Sequence, residues 1–172
     1  MKKKLLLLYV IPLMIAIVGS LVGCSMANTP TSKVENLFTK YQKLDNDIDD
    51  GIEDVLNGSN LSDSQKDRYK KLLEKQYKNL TYQIKEETID GNNATVKVEI
   101  EVTDFRKVLN ELVYDPNIYT EETFNEEKIT RLEQTKDKVK YTLELTLTKN
   151  ETGEWILNNL SIDDIKKIQG MY

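Results

Sequence analysis

Apolar residues in the first half of the chain recur every three or four positions, which is the period of an amphipathic helix. The pattern runs from Val34 to Leu56, and Ser32 with Glu35 forms a capping box at its start. Gly51 interrupts this pattern and predicts a weak point or a bend, because glycine is a poor helix former. The spacing therefore predicts one long N-terminal helix.

Two antiparallel hairpins are predicted further along, after a second helix that begins near Ser62. Residues 94–102 alternate between apolar and polar, and residues 139–147 do the same. This alternation is typical of strands with one buried face and one face in water. Turn sequences at 90–93 and 150–153 predict that each strand pairs with a neighbour in the chain.

Helical spacing returns at residues 105–113, at 119–137 and in a short segment that begins after Ser161 and ends at Gly170. The predicted order is α-α-β-β-α-(α)-β-β-α, where the bracketed helix is 119–137. This order is typical of an α+β domain with helices packed on an antiparallel sheet. We expect residues 32–172 to form one such domain, with its N-terminal helices on a curved, cone-like sheet of about four strands.

The N-terminal segment has the order of an export signal, in which a basic start precedes an apolar run. Three lysines at 2–4 precede the apolar residues 5–18. The whole apolar stretch is close to the minimum length of a membrane-spanning helix, so a retained anchor is the alternative. Pro12 and Gly19 favour a processed signal.

Residues 21–24, Leu-Val-Gly-Cys, resemble the lipobox of bacterial lipoproteins, and Cys24 is the only cysteine of the chain. The resemblance implies that the Cys24 sulfur receives a diacylglyceryl group and that a signal peptide, residues 1–23, is removed. Residues 24–31 would then be a lipidated tether at the outer face of the bacterial cytoplasmic membrane. Two acyl chains hold a protein stably at a bilayer, whereas a single chain holds it only marginally.

The composition excludes the most familiar catalytic chemistry. The chain has no histidine, and with Cys24 lipidated it has no free thiol, which excludes Ser-His-Asp and Cys-His catalysis. Zinc and copper lack their preferred nitrogen and sulfur ligands for the same reason. Removal of the three N-terminal lysines changes the net charge from −5 to about −8, which argues against nucleic acid as a partner. We expect no cofactor and no metal.

The acidic stretch at 45–54 is superficially similar to a calcium-binding loop. Aspartates occupy its first, third and fifth positions, as such a loop requires. The sixth position is Asp50 instead of glycine, and the twelfth is Leu56 instead of glutamate. We therefore interpret these carboxylates as the solvated face of a helix.

Four segments carry the longest motifs of the chain: YQKLDNDI, KQYKNLTYQIKEETIDGNNATVKVEIEV, KDKVKYTLELTLTK and GEWILNNLSIDDIKKIQGMY. Together they resemble a family of small lipoproteins from low-GC Gram-positive bacteria, with an architecture similar to the nuclear transport factor 2-like, or cystatin-like, fold. The resemblance covers nearly the whole mature chain and implies a curved sheet around N-terminal helices. Its motifs are structural, so it implies no activity.

We expect a non-enzymatic binding module whose ligand is a peptide, a protein or a small apolar molecule. The alternative is an enzyme with a cavity in the cone, where Asp104 would act as a base and Tyr82 or Tyr141 would stabilise an oxyanion. Trp155 would line the same cavity. The simpler interpretation makes Asp104 a helix cap and the three aromatic residues part of the core. A buried carboxylate with a raised pKa would favour the enzyme, and a filled interior would exclude it.

Overall fold

The structure, a computed structural model, describes residues 28–172. The predicted signal peptide, residues 1–23, and the predicted lipidation site, Cys24, lie outside these residues. Within them, six helices and four strands follow one another. They are α1 (Pro30–Lys43), α2 (Asn46–Asn57), α3 (Asp63–Lys78), β1 (Thr81–Asp90), β2 (Asn93–Thr103), α4 (Arg106–Glu111), α5 (Glu121–Gln134), β3 (Lys138–Lys149), β4 (Trp155–Leu157) and α6 (Ile162–Gln169).

The predicted α+β fold class is confirmed, since the four strands form one antiparallel sheet in the order β1-β2-β3-β4. On β2, Val98 lies opposite Ile84 of β1 and Leu143 of β3, and all three side chains point to the face that the helices cover. The register between β1 and β2 shifts between Ile84 and Glu86, which marks a bulge in the edge strand.

The prediction of a single N-terminal helix with a weak point at Gly51 is wrong. The chain breaks at Leu44, which adopts a left-handed conformation with φ of 53°, and Asp45 then becomes the N-cap of α2. Two backbone bonds that close α1 stabilise this break, because Leu44 N donates to Tyr41 O and Asp45 N donates to Lys40 O. Gly51 lies inside α2.

The first helix also begins earlier than the sequence pattern predicts. Thr29, not Ser32, is its N-cap, and Pro30 is its first helical residue. Proline favours this position because its fixed φ suits the helix and its missing N–H would have no helical partner there.

Apolar side chains fill the space between the sheet and the helices. One cluster joins the inner face of the sheet to α1, α2, α3 and α6, and a second cluster joins Leu72 of α3 to Phe105 and to Leu132 of α5. The largest fully buried side chains are Phe38, Leu73, Leu80, Ile100, Ile129, Leu132, Leu143, Leu147, Ile168 and Gln76.

The end of α6 is fixed to the sheet by close backbone contacts. The carbonyl oxygen of Gly170 accepts hydrogen bonds from the backbone N–H groups of Phe105 and Arg106, at 2.9 and 3.0 Å. The buried Gln76 side chain lies beside this contact, where its Nε2 donates to the carbonyl oxygens of Thr103 and Gln169 and its Oε1 accepts from Thr103 N. These contacts hold α3, β2 and α6 together.

Candidate functional site

The inner face of the sheet is covered by packed side chains, at the place where the sequence suggested a cavity. Val98 and Leu143 have no exposed surface, and Leu145 is 2% exposed. Helix α1 covers this face with Val34 and Phe38, which are also fully buried. The interior at this point is therefore filled with side chains.

Two of the four proposed cavity residues share one row of the sheet. Tyr82 and Tyr141 both lie opposite Ile100, one on each side of it. The Tyr82 ring stacks on Phe38 at 4.7 Å between centroids, and the Tyr141 hydroxyl donates to the carbonyl oxygen of Tyr172 at 2.9 Å. Both tyrosines therefore have packing or hydrogen-bonding partners within the fold.

Asp104 and Trp155 lie at opposite ends of the sheet. Asp104 follows β2, and its Oδ1 accepts a hydrogen bond from Lys107 N in the first turn of α4 at 3.4 Å, although the N-cap of that helix is Phe105. Burial raises the pKa of the Tyr141 phenol, and the negative charge of the nearby Asp104 raises it further. Trp155 is buried where β4 pairs with Lys149, whose Nζ lies 4.8 Å from the centre of the ring. The four residues therefore do not line one site.

No carboxylate is buried anywhere in residues 28–172. The buried polar residues there are Gln65 and Gln76, and both are hydrogen-bonded. Every buried side-chain nitrogen and oxygen of this part of the chain has a hydrogen-bond partner.

The acidic stretch at 45–54 forms ion pairs with lysines of the neighbouring helices. Lys40 pairs with Asp45 and Asp47, and Lys70 pairs with Asp49 and Glu53. In the described part of the chain, no three acidic, histidine or cysteine residues are grouped so that they could hold a metal ion.

A cleft with a partly apolar lining lies between the helices, away from the sheet. We call it the helical cleft. It has a volume of about 490 Å³, and α2, α3, α5, the α2–α3 loop and the segment before α5 surround it. It is lined by Val55, Ser59, Asn60, Leu61, Tyr69, Tyr114, Glu121, Phe124, Asn125, Lys128 and Ile129.

Aromatic and aliphatic side chains form about half of the lining of the helical cleft, and polar side chains form the rest. Tyr114 packs edge-on against Phe124 at 5.2 Å, and Tyr119 contacts the same ring at 5.7 Å. Val55 on the facing helix is 51% exposed. Two further apolar side chains beside Tyr114 and Tyr119 in the chain, Val113 and Ile118, are 75% and 70% exposed. Exposed apolar side chains that line one cleft, as Val55 and Tyr114 do, are typical of interaction surfaces.

Contacts between α3 and α5 fix the shape of the helical cleft. Arg68 of α3 donates hydrogen bonds to Glu126, Glu133 and Thr130 of α5. The guanidinium holds the pKa of Glu133 below its usual value. At the start of α5, Gln65 Nε2 donates to the carbonyl oxygen of Glu122 at 3.0 Å. The α5 wall is therefore held at both ends.

Sequence reasoning missed this site, although a signal for it was present. Tyr114 and Ile118 are large apolar residues that flank the predicted break at residues 115–117, a short segment without helical or strand period. Segments of this kind usually run over the surface. Apolar residues beside such a segment are therefore candidates for binding.

A scan against protein-family models found no match, and searches of curated proteins and of solved structures found none either. In residues 28–172, none of the helices combines the length and the apolar character that crossing a bilayer requires.

Proposed function

We propose that this protein is a lipid-anchored, non-enzymatic binding module at the outer face of the bacterial cytoplasmic membrane. In this proposal the helical cleft binds an apolar, uncharged segment of a peptide or protein partner. The observation that carries the proposal is the exposed apolar surface formed by Val55, Tyr114, Phe124 and their neighbours.

The size and chemistry of the cleft support an apolar peptide segment as its ligand. Its volume falls within the range of about 300–1,000 Å³ that is usual for ligand sites. Ser59, Asn60 and Asn125 supply donors and acceptors that suit a peptide backbone. Glu121 and Lys128 contribute one charge of each sign, which favours an uncharged segment over a strongly acidic or basic one.

The absence of histidine from the chain and of buried carboxylates from residues 28–172 supports a binding function over an enzymatic one. An enzyme that uses Asp104 and Tyr141 would need space for a substrate between them. Tyr141 is instead hydrogen-bonded to Tyr172, and Asp104 accepts a hydrogen bond from Lys107 N of α4.

The anchor is supported by the order of basic, apolar and Leu-Val-Gly-Cys residues at the N-terminus. Replacement of Cys24 by Ala should abolish incorporation of labelled palmitate in a Gram-positive host and leave an uncleaved precursor. The matched variant Ser25→Ala, one residue later, should be labelled and processed normally. Normal processing of the Cys24→Ala variant would refute the anchor.

The cleft can be tested with Nile red, an uncharged dye whose fluorescence rises in apolar surroundings. Val55→Asp should remove most of the fluorescence enhancement, because it places a carboxylate in the cleft wall. Ile89→Asp is the matched control, since Ile89 on β1 is 52% exposed and Val55 is 51% exposed. Equal loss in both variants, or in neither, would contradict binding in the helical cleft.

A further inference from the structure

The first described residues are tied to the turn between β3 and β4. The Asn28 side chain donates through Nδ2 to the carbonyl oxygen of Gly153 at 3.2 Å and accepts at Oδ1 from Trp155 N at 2.9 Å. Lys33, one turn into α1, pairs with Glu154 at 3.3 Å. The Asn28 contacts therefore fix the start of the domain next to the β3–β4 turn.

The two hairpin turns lie together at this end of the sheet. Lys149 N donates to the carbonyl oxygen of Asn92 at 2.8 Å, which joins the β1–β2 turn to the end of β3. We call this region, residues 90–93 and 150–154, the turn end. At the opposite end of the sheet, Thr103 pairs with Lys138.

Covalent geometry limits how far the turn end can lie from Cys24. Four residue steps separate Cys24 from Asn28, and they span at most about 14 Å when fully extended. Strand β3, with its 12 residues, extends for about 36 Å from the opposite end to the turn end. A lipid on Cys24 would therefore hold the turn end near the bilayer, whereas the tether leaves the opposite end free to extend away.

Electrostatics would not draw the sides of the domain onto an anionic bilayer. The chain from residue 24 onward carries a net charge of about −8. The turn end is also acidic, since it contains Asp90, Glu151 and Glu154, so the short tether, and not charge attraction, would keep it near the bilayer. Anionic lipids attract basic segments and repel acidic ones.

We propose that the anchored domain is oriented with its turn end facing the lipid surface and with the start of β3 directed away from that surface. This inference rests on the proposed lipid anchor at Cys24. The Asn28 contacts and the short tether set the orientation. None of the residues that line the helical cleft belongs to the turn end, so the cleft is left accessible to a partner.

The orientation can be measured with single fluorophores, because the chain has no cysteine other than Cys24. The lipidated protein would carry Glu151→Cys at the turn end or Lys136→Cys just before β3, and both positions are exposed. Each labelled protein is placed in phosphatidylcholine–phosphatidylglycerol vesicles that contain a lipid with a nitroxide on its headgroup. We expect several-fold stronger quenching at position 151 than at position 136.

Equal quenching of two membrane-bound proteins, or stronger quenching at position 136, would overturn the orientation. Failure of the lipid-modified fraction to bind vesicles would refute the anchor itself, and the orientation with it. A flexible ten-residue Gly-Ser insertion between Ala27 and Asn28 serves as a further variant, which should bring the two quenching values together. An unchanged difference with the longer tether would show that the tether does not set the orientation and would refute the inference.

Discussion

Replacement of Gly170 by Ala should destabilise the protein strongly, because this glycine combines a left-handed backbone with a close approach to β2. Its φ is 73°, and it is buried. A Cβ atom added there would lie 2.0 Å from the carbonyl oxygen of Thr103 and 2.6 Å from Nε2 of Gln76. The first of these neighbours is a backbone atom of the last residue of β2, so it cannot move without disturbing the sheet.

The expected cost can be worked out from two contributions. The left-handed conformation costs about 1–2 kcal/mol for a residue with a Cβ. Relief of the clash would also displace α6 and weaken the hydrogen bonds around Gly170 and Gln76, which contribute about 1 kcal/mol each. Loss of two such bonds brings the total to about 3–4 kcal/mol, a large part of the roughly 5–15 kcal/mol that stabilises a typical domain.

Urea denaturation followed by far-ultraviolet circular dichroism measures this change in the free energy of unfolding. Gly153→Ala is the matched control, because Gly153 has a similar φ of 78° but no atom within 4 Å of an added Cβ. The control should lose only the conformational part, about 1–2 kcal/mol. Equal losses in the two variants would refute the close packing of Gly170 against Thr103.

The remaining predictions concern pH. Arg68→Met should lower the free energy of unfolding at neutral pH. The loss should shrink as the pH falls below the ordinary pKa of a glutamate, because Arg68 lowers the pKa of Glu133 in the folded state and this contribution disappears when the carboxylate is protonated. A loss in urea titrations that does not depend on pH would contradict the ion pair. Burial raises the pKa of Tyr41 well above its ordinary value, so the folded state holds this phenol neutral and loses stability as the pH rises above the ordinary value. In an alkaline titration we expect Tyr41 to ionise only as the circular dichroism signal of the fold disappears, and early ionisation of all tyrosines would contradict its burial.

The strands were predictable because the alternation of apolar and polar residues is visible within the sequence of each strand. Val98 and Leu143 lie at apolar positions of the alternating pattern, and both are fully buried as that alternation requires. Their pairing across β2 and β3 comes from the structure, because alternation within a strand does not specify its partner. The cap of α6 at Ser161 was predictable for a similar reason, since a capping residue acts on its own helix.

The break at Leu44 was not predictable in this way. Leucine has no preference for a left-handed conformation, and Gly51, seven residues later, is the weaker helix former. Tertiary contacts override this local preference, because α2 must pack its buried face, including Ile52, against α3 and the core.

The helical cleft was harder still to predict, because its walls come from distant parts of the chain. Arg68 and Glu126 are 58 residues apart in sequence, and their contact sets the spacing between α3 and α5. The spacing between α3 and α5 cannot be read from the sequence pattern of either helix alone. The lipid anchor at Cys24 stays a prediction, as the residue lies outside those that the structure describes.

The most direct test of the central claim is a nuclear magnetic resonance titration of the isotopically labelled mature chain with acetyl-Leu-Ile-Phe-amide, a capped apolar peptide. If the helical cleft is the binding surface, the amide signals that shift will be those of its lining, such as Val55, Tyr114 and Phe124. Signals from the outer face of the sheet, such as that of Thr142, will stay unchanged. Shifts confined to the sheet, shifts scattered over the whole domain, or no shifts at millimolar peptide would contradict the claim.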